Sequence, residues 1–93
     1  MTNGEQRKIC NKITIGRITL VSGEGLIYKY SVGDAVLEGS DPLCLKQLKG
    51  HNFPVIYSCY DSTNSELLIY PKDFEKYGYK FPDSLNWILP IIK

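Results

Sequence analysis

Phe53-Pro54-Val55-Ile56-Tyr57-Ser58-Cys59-Tyr60-Asp61-Ser62-Thr63-Asn64-Ser65-Glu66-Leu67-Leu68-Ile69 reads as two strands joined by a polar turn. Phe53, Val55, Tyr57 and Cys59 fall on one side at period two, and Pro54, Ile56, Ser58 and Tyr60 on the other. Bulky residues on both sides predict a strand in the interior of the fold. Asp61 to Ser65 is a run of turn formers whose short side chains bond nearby backbone, and Leu67-Leu68-Ile69 resumes the apolar pattern.

Working back towards the N-terminus, Leu26 to Val32 alternates well, with Leu26, Tyr28, Tyr30 and Val32 on one face. Ser22-Gly23-Glu24-Gly25 before it supplies a hairpin turn. Val32-Gly33-Asp34 after it leads into a short strand, Ala35 to Glu38, which Gly39-Ser40-Asp41-Pro42 is expected to break. The first strand runs from about Lys12 to Val21. Ile13 and Ile15 share one parity and Ile18 and Leu20 the other, so a bulge at Gly16-Arg17 is predicted, returning all four to the core. Residues 1–11 read as a weakly ordered lead-in. Leu43 to Leu48 fits either a short helical turn, for which its apolar spacing is poor, or an irregular strand, and a strand or extended loop is the expectation.

After Tyr70 the pattern changes. Pro71 to Tyr77 has proline at a helix start and Gly78 just past its end. A second helical turn is expected within Phe81 to Ile88, with Asp83 or Ser84 as its cap, and the chain stays apolar through Leu89-Pro90-Ile91-Ile92. The fold class is therefore mainly β: a small five-stranded bent sheet, or an SH3- or OB-like barrel, with one or two short C-terminal helical turns. Ninety-three residues make one domain, 1–93, with a radius of gyration of roughly 12 Å and about 60–65% of its extended surface buried.

The run Gly50…Phe53-Pro54-Val55-Ile56-Tyr57-Ser58, followed by Asn64-Ser65-Glu66-Leu67-Leu68-Ile69, resembles the last hairpin of small bacterial β domains of unknown function. Tyr28-Lys29-Tyr30-Ser31-Val32-Gly33 is similar to their Tyr-x-Tyr-x-Val hairpin, and the likeness covers roughly residues 12 to 70. The resemblance brings no activity, cofactor or site with it.

Composition narrows the function classes. With 43% hydrophobic and 23% charged residues the chain is not generally disordered, and a net charge of +1 gives no bulk attraction to nucleic acid or anionic lipid. No apolar run reaches the ~18 residues that span a bilayer, and the polar start, Met1 to Lys8, has no signal-peptide core. Cys10, Cys44 and Cys59 have long, irregular spacings. They read as buried reduced thiols, and the expected location is the cytoplasm.

No catalytic or metal site is expected, and no cofactor. His51 is the only histidine and sits in a turn, so Cys59 near it is better read as a space-filling thiol than as half of a Cys–His pair. No phosphate-cradling glycine loop, serine elbow or H-E-x-x-H pattern occurs.

Three binding readings remain. Trp87, Ile91, Ile92, Tyr60 and Tyr79 are candidate contacts for an unidentified protein or for self-association, unless the C-terminal residues simply cover the barrel. The expected function is thus a non-enzymatic protein-interaction module. Alternatively, Tyr28, Lys29, Tyr30, Tyr57 and Tyr60 form a stacking platform for single-stranded nucleic acid. A small-ligand-binding barrel is the third reading.

Overall fold

The computed structural model describes residues 3–92. Helix α1 (Asn3–Ile9) leads into five strands, β1 (Asn11–Ser22), β2 (Gly25–Val32), β3 (Ala35–Asp41), β4 (Asn52–Ser58) and β5 (Ser65–Leu67). A 3-10 turn (Lys46–Leu48) lies between β3 and β4. The chain ends in α2 (Pro71–Lys76), a second 3-10 turn (Asp83–Ile88) and α3 (Leu89–Ile92). The strands form one antiparallel sheet in the order β3-β2-β1-β4-β5, curled into a half-barrel of radius of gyration 12.8 Å. The mainly-β fold with short C-terminal helical turns is the one the strand and turn patterns predict.

The inner face is filled by Ile18, Tyr28, Tyr30, Phe53, Val55 and Leu67, all buried. Two tyrosines of β2 reach across the open side to β5 and the turn before it. Tyr28 Oη lies 2.9 Å from Ser65 Oγ on β5, and Tyr30 Oη donates to the Ser62 carbonyl at 2.7 Å. Gly39 on β3 makes room for this, because a Cβ there would collide with the Tyr28 ring. The strand consequently continues through Gly39 and Ser40 to Asp41 rather than breaking at Gly39.

The predicted bulge at Gly16-Arg17 does not form. Gly16 pairs regularly with Tyr30 and Phe53, and the register shifts instead between Ile18 and Leu20, leaving Thr19 as the extra residue. Gly16 is required by close packing, since a Cβ would run into Val55 Cγ2 with the Tyr28 ring next to it at 3.6 Å. With the ladder regular from Asn11 to Arg17, Ile13 and Ile15 point outward and only Ile18 reaches the core.

The turn from Asp61 is built as its residues suggest. Thr63 donates both its amide (3.0 Å) and its hydroxyl (2.6 Å) to Asp61 Oδ1. Those hydrogen bonds hold the exposed Asp61 carboxyl below its ordinary pKa. Pro71 opens α2, Asp73 Oδ2 accepts the Tyr70 amide at 3.0 Å, and Gly78 (φ 80°) ends the turn beyond it. Residues 43–45 take no regular structure, with Leu45 extended, and Lys46–Leu48 closes a 3-10 turn that buries Leu48. The chain then docks back on β1, the Gly50 amide donating to Ile18 O at 2.7 Å and the Ile18 amide to His51 O at 3.0 Å.

Two expectations about the N-terminus and the thiols are corrected together. Residues 3–9 are not a loose lead-in. They form α1, and directly after it Cys10 is disulfide-bonded to Cys59 beyond the end of β4, with Cα atoms 5.4 Å apart. The antiparallel register that pairs Asn11 with Ser58 places the two cysteines opposite one another, and the Cys59 amide donates to the Cys10 carbonyl at 3.1 Å. Cys44 is the free cysteine and is exposed. The bond removes the ground for expecting a reducing compartment.

Candidate interaction surface

The outer face of β1, β2 and β3 is ordered in rows by the pleat. Ser31 pairs with Val36 and Ile15 with Pro54, while the Gly16–Tyr30 pair sets Ser31 beside Ile15. One row therefore reads Val36–Ser31–Ile15–Pro54. The next outward-facing row is charged, Glu38–Lys29–Arg17, and beyond the Thr19 irregularity Leu20 pairs with Ile27. Ile15 is 61% exposed, Val36 67% and Ile13 42%. Three exposed β-branched aliphatic side chains thus lie on one sheet face, Ile13 and Ile15 two residues apart on β1 and Val36 across Ser31 on β3. Lys29 Nζ and Glu38 Oε1 make an exposed ion pair at 3.6 Å within the charged row.

The same face is covered at its other end. Glu66 sits opposite Ile56 on the β4–β5 ladder, and Ile56, flanking Ile13, is fully buried. Glu66 is the meeting point of α1 and α2. It accepts from Arg7 Nη2 (3.1 Å), the Tyr77 hydroxyl (2.8 Å) and Lys76 Nζ (2.9 Å), while Arg7 also donates to Tyr77 Oη (2.9 Å) and to Asn64 Oδ1. Burial raises the Tyr77 phenol pKa, which Arg7 partly offsets and Glu66 reinforces. For Lys76, partial burial is outweighed by its hydrogen bond and charge pairing with Glu66, and the net shift is upward. These polar groups are spent on one another, so the cluster anchors α1 rather than offering a ligand site.

The C-terminal candidates are not gathered into one patch. Trp87, 38% exposed, lies against His51 (ring centroids 4.6 Å apart) and Phe53 (5.9 Å), at the start of β4. Tyr79 donates its hydroxyl to Asn11 Oδ1 at 3.0 Å, at the opposite end of that strand, and Tyr60 stands exposed beyond the same end. Seven strand residues, roughly 20 Å, separate the two groups. Ile91 and Ile92 are half-buried against the core, and Ile88 is fully buried.

The tyrosine candidates divide as well. Tyr28 and Tyr30 are buried, with rings 5.9 Å apart and hydroxyls engaged, and burial raises the Tyr28 pKa despite the Ser65 hydrogen bond. Tyr57 is half-buried, stacked on Tyr30 at 6.3 Å. Lys29 and Tyr60 are exposed. The rings of Tyr28 and Tyr30 thus face the interior and present no stacking surface to solvent.

Cys59 is committed to the disulfide, so it offers no thiolate to His51. Among the described residues no group of three or more His, Cys, Asp or Glu side chains could hold a metal ion, and no helix is long and apolar enough to cross a membrane. A shallow depression of about 390 Å³ is bordered by Leu20, Glu24, Ile27 and Asp41. Burial raises the Asp41 pKa, although its Oδ1 accepts the Leu43 amide at 3.0 Å.

The residues missed from sequence are Ile13, Ile15 and Val36. The signal was present, because a strand with apolar residues at both parities either bulges or leaves one set outside. No protein-family model, curated protein or solved structure matches the chain.

Proposed function

We propose that the chain is a small non-enzymatic protein-binding module that uses the outer face of β1–β3. The observation that supports this reading is the exposure of Ile13, Ile15 and Val36 on one continuous, rigid sheet surface. Burying exposed aliphatic area contributes about 25 cal/mol per Å², and a strand-borne surface costs little ordering entropy when it binds. The packed inner face, filled by Tyr28, Tyr30, Phe53 and Val55, speaks against a ligand-holding barrel. The inward placement of Tyr28 and Tyr30 likewise weakens a single-strand stacking platform.

The test compares immobilised wild type with Ile15→Lys for retention of protein from a lysate of the source cells. Ile15 is an exposed side chain, so the variant keeps the fold. Retention by the wild type and its loss in the variant is the expected result. Equal retention by both chains overturns the proposed face.

A further inference from the structure

Resting on that reading of the face, we infer that its partner is a second copy of this chain, docked outer face to outer face about a twofold axis running along β2. The argument comes from the rows. A twofold axis in the plane of a contact, parallel to β2, keeps each residue's height along the strand and exchanges the flanking strands. It therefore lays β1 of one copy over β3 of the other. Ile15 and Val36 occupy the same row, with Ser31 between them, so Ile15 of each copy meets Val36 of the other. Arg17 and Glu38 occupy the next outward-facing row, with Lys29 between them, so each Arg17 meets the other copy's Glu38. Aliphatic falls on aliphatic and base on acid, twice over, with no side chain moved to a new row.

Lys29 stands at the axis and faces the other copy's Lys29, the one like-charge pair of this placement, with a Glu38 carboxylate from each copy flanking the two ammonium groups. Each Lys29 stays next to its own Glu38, which takes an Arg17 of the other copy on its far side. Other placements of the axis do worse. An axis between β1 and β2 lays Arg17 over Lys29 twice and sets no base against an acid, whereas the β2 axis has one such like pair and two opposite ones. An axis along the Ile15 row sets the charged row against the row of Ile13. The sheet is curled and this face is its outer side, so two copies touch over a few side chains each. That is a contact at the small end of specific interfaces, where association is weak and transient.

Sedimentation equilibrium of the disulfide-intact chain over a concentration series, to about 1 mM, reads the association directly. The wild type is expected to pass from monomer to dimer. Arg17→Glu alone and Glu38→Arg alone should each weaken dimerisation tenfold or more, because each homodimer then places like charges together twice. Mixing the two variants should restore a dimer of wild-type affinity. In the mixed pair one contact is the original Arg17–Glu38 and the other its reversal, so both again set base against acid. Circular dichroism melts of the single variants, both at exposed sites, show that each remains folded. A monomeric wild type at every concentration overturns the proposal, as does a dimer insensitive to either charge reversal or one not recovered on mixing. If the wild type is monomeric while Ile15→Lys abolishes retention of another protein, self-association falls and the binding face stands.

Discussion

At the scale of single residues, two side-chain environments make measurable demands. Gly16 is pinned by Val55 and Tyr28, not by backbone conformation, so its substitution acts through overpacking. Gly16→Ala should cost about 1–3 kcal/mol in urea denaturation, with the penalty relieved in part by adding Val55→Ala. Asp41 is a carboxylate whose burial raises its pKa in the fold. The folded chain then binds the proton more tightly than the unfolded one, so stability falls as pH rises from the ordinary Asp range through the folded pKa. Asp41→Asn should therefore raise the denaturation midpoint at pH 7 and lose that gain at about pH 3, where both states are protonated. Ile15 shows the limit of reading residues from pattern alone. Its parity was plain in the sequence, but which face the core occupies depends on the side chains of β2 and β4 that need the space over Gly16.

At the scale of elements, the strands and turns were legible because their causes are local: alternation in β2 and β4, the Asp61–Thr63 turn, Pro71 and Gly78 around α2. The N-terminal helix was not. Residues 3–9 carry no strong apolar stripe, and what holds α1 is Arg7 reaching partners 57 to 70 residues away. The disulfide was hidden for the same reason, since Cys10 and Cys59 lie 49 residues apart and meet only through the β1–β4 register. Closing a loop of that length restricts the unfolded chain by about 4 kcal/mol in the chain-entropy account. Cys10→Ser or Cys59→Ser should lower stability by about 2–4 kcal/mol, whereas Cys44→Ser, at an exposed site, should stay within about 0.5 kcal/mol. Intact-mass and thiol-labelling measurements on the wild type should find one reactive thiol per chain.

For the molecule as a whole, the tail and the sheet's outer face carry different duties. Ile91 and Ile92 are half-buried against the core, so removing residues 89–93 should cost about 2–3 kcal/mol in total. The truncated chain should still melt cooperatively and keep the sedimentation behaviour of the wild type, because the residues proposed for association lie on β1 and β3. A truncated chain with normal stability would show that the tail does not pack, and one that loses association would return the contact to the C-terminus. The Cys10–Cys59 bond has a further consequence for how load would travel through the protein. It ties the chain directly from the end of α1 to the end of β4, so tension applied at the two termini would pass through the two sulfurs and bypass β1 to β4. Pulled in its oxidised form, the molecule should yield only α1, β5 and the C-terminal turns. Reduction would release the 49-residue span, lengthening the extended tether by roughly 160–175 Å.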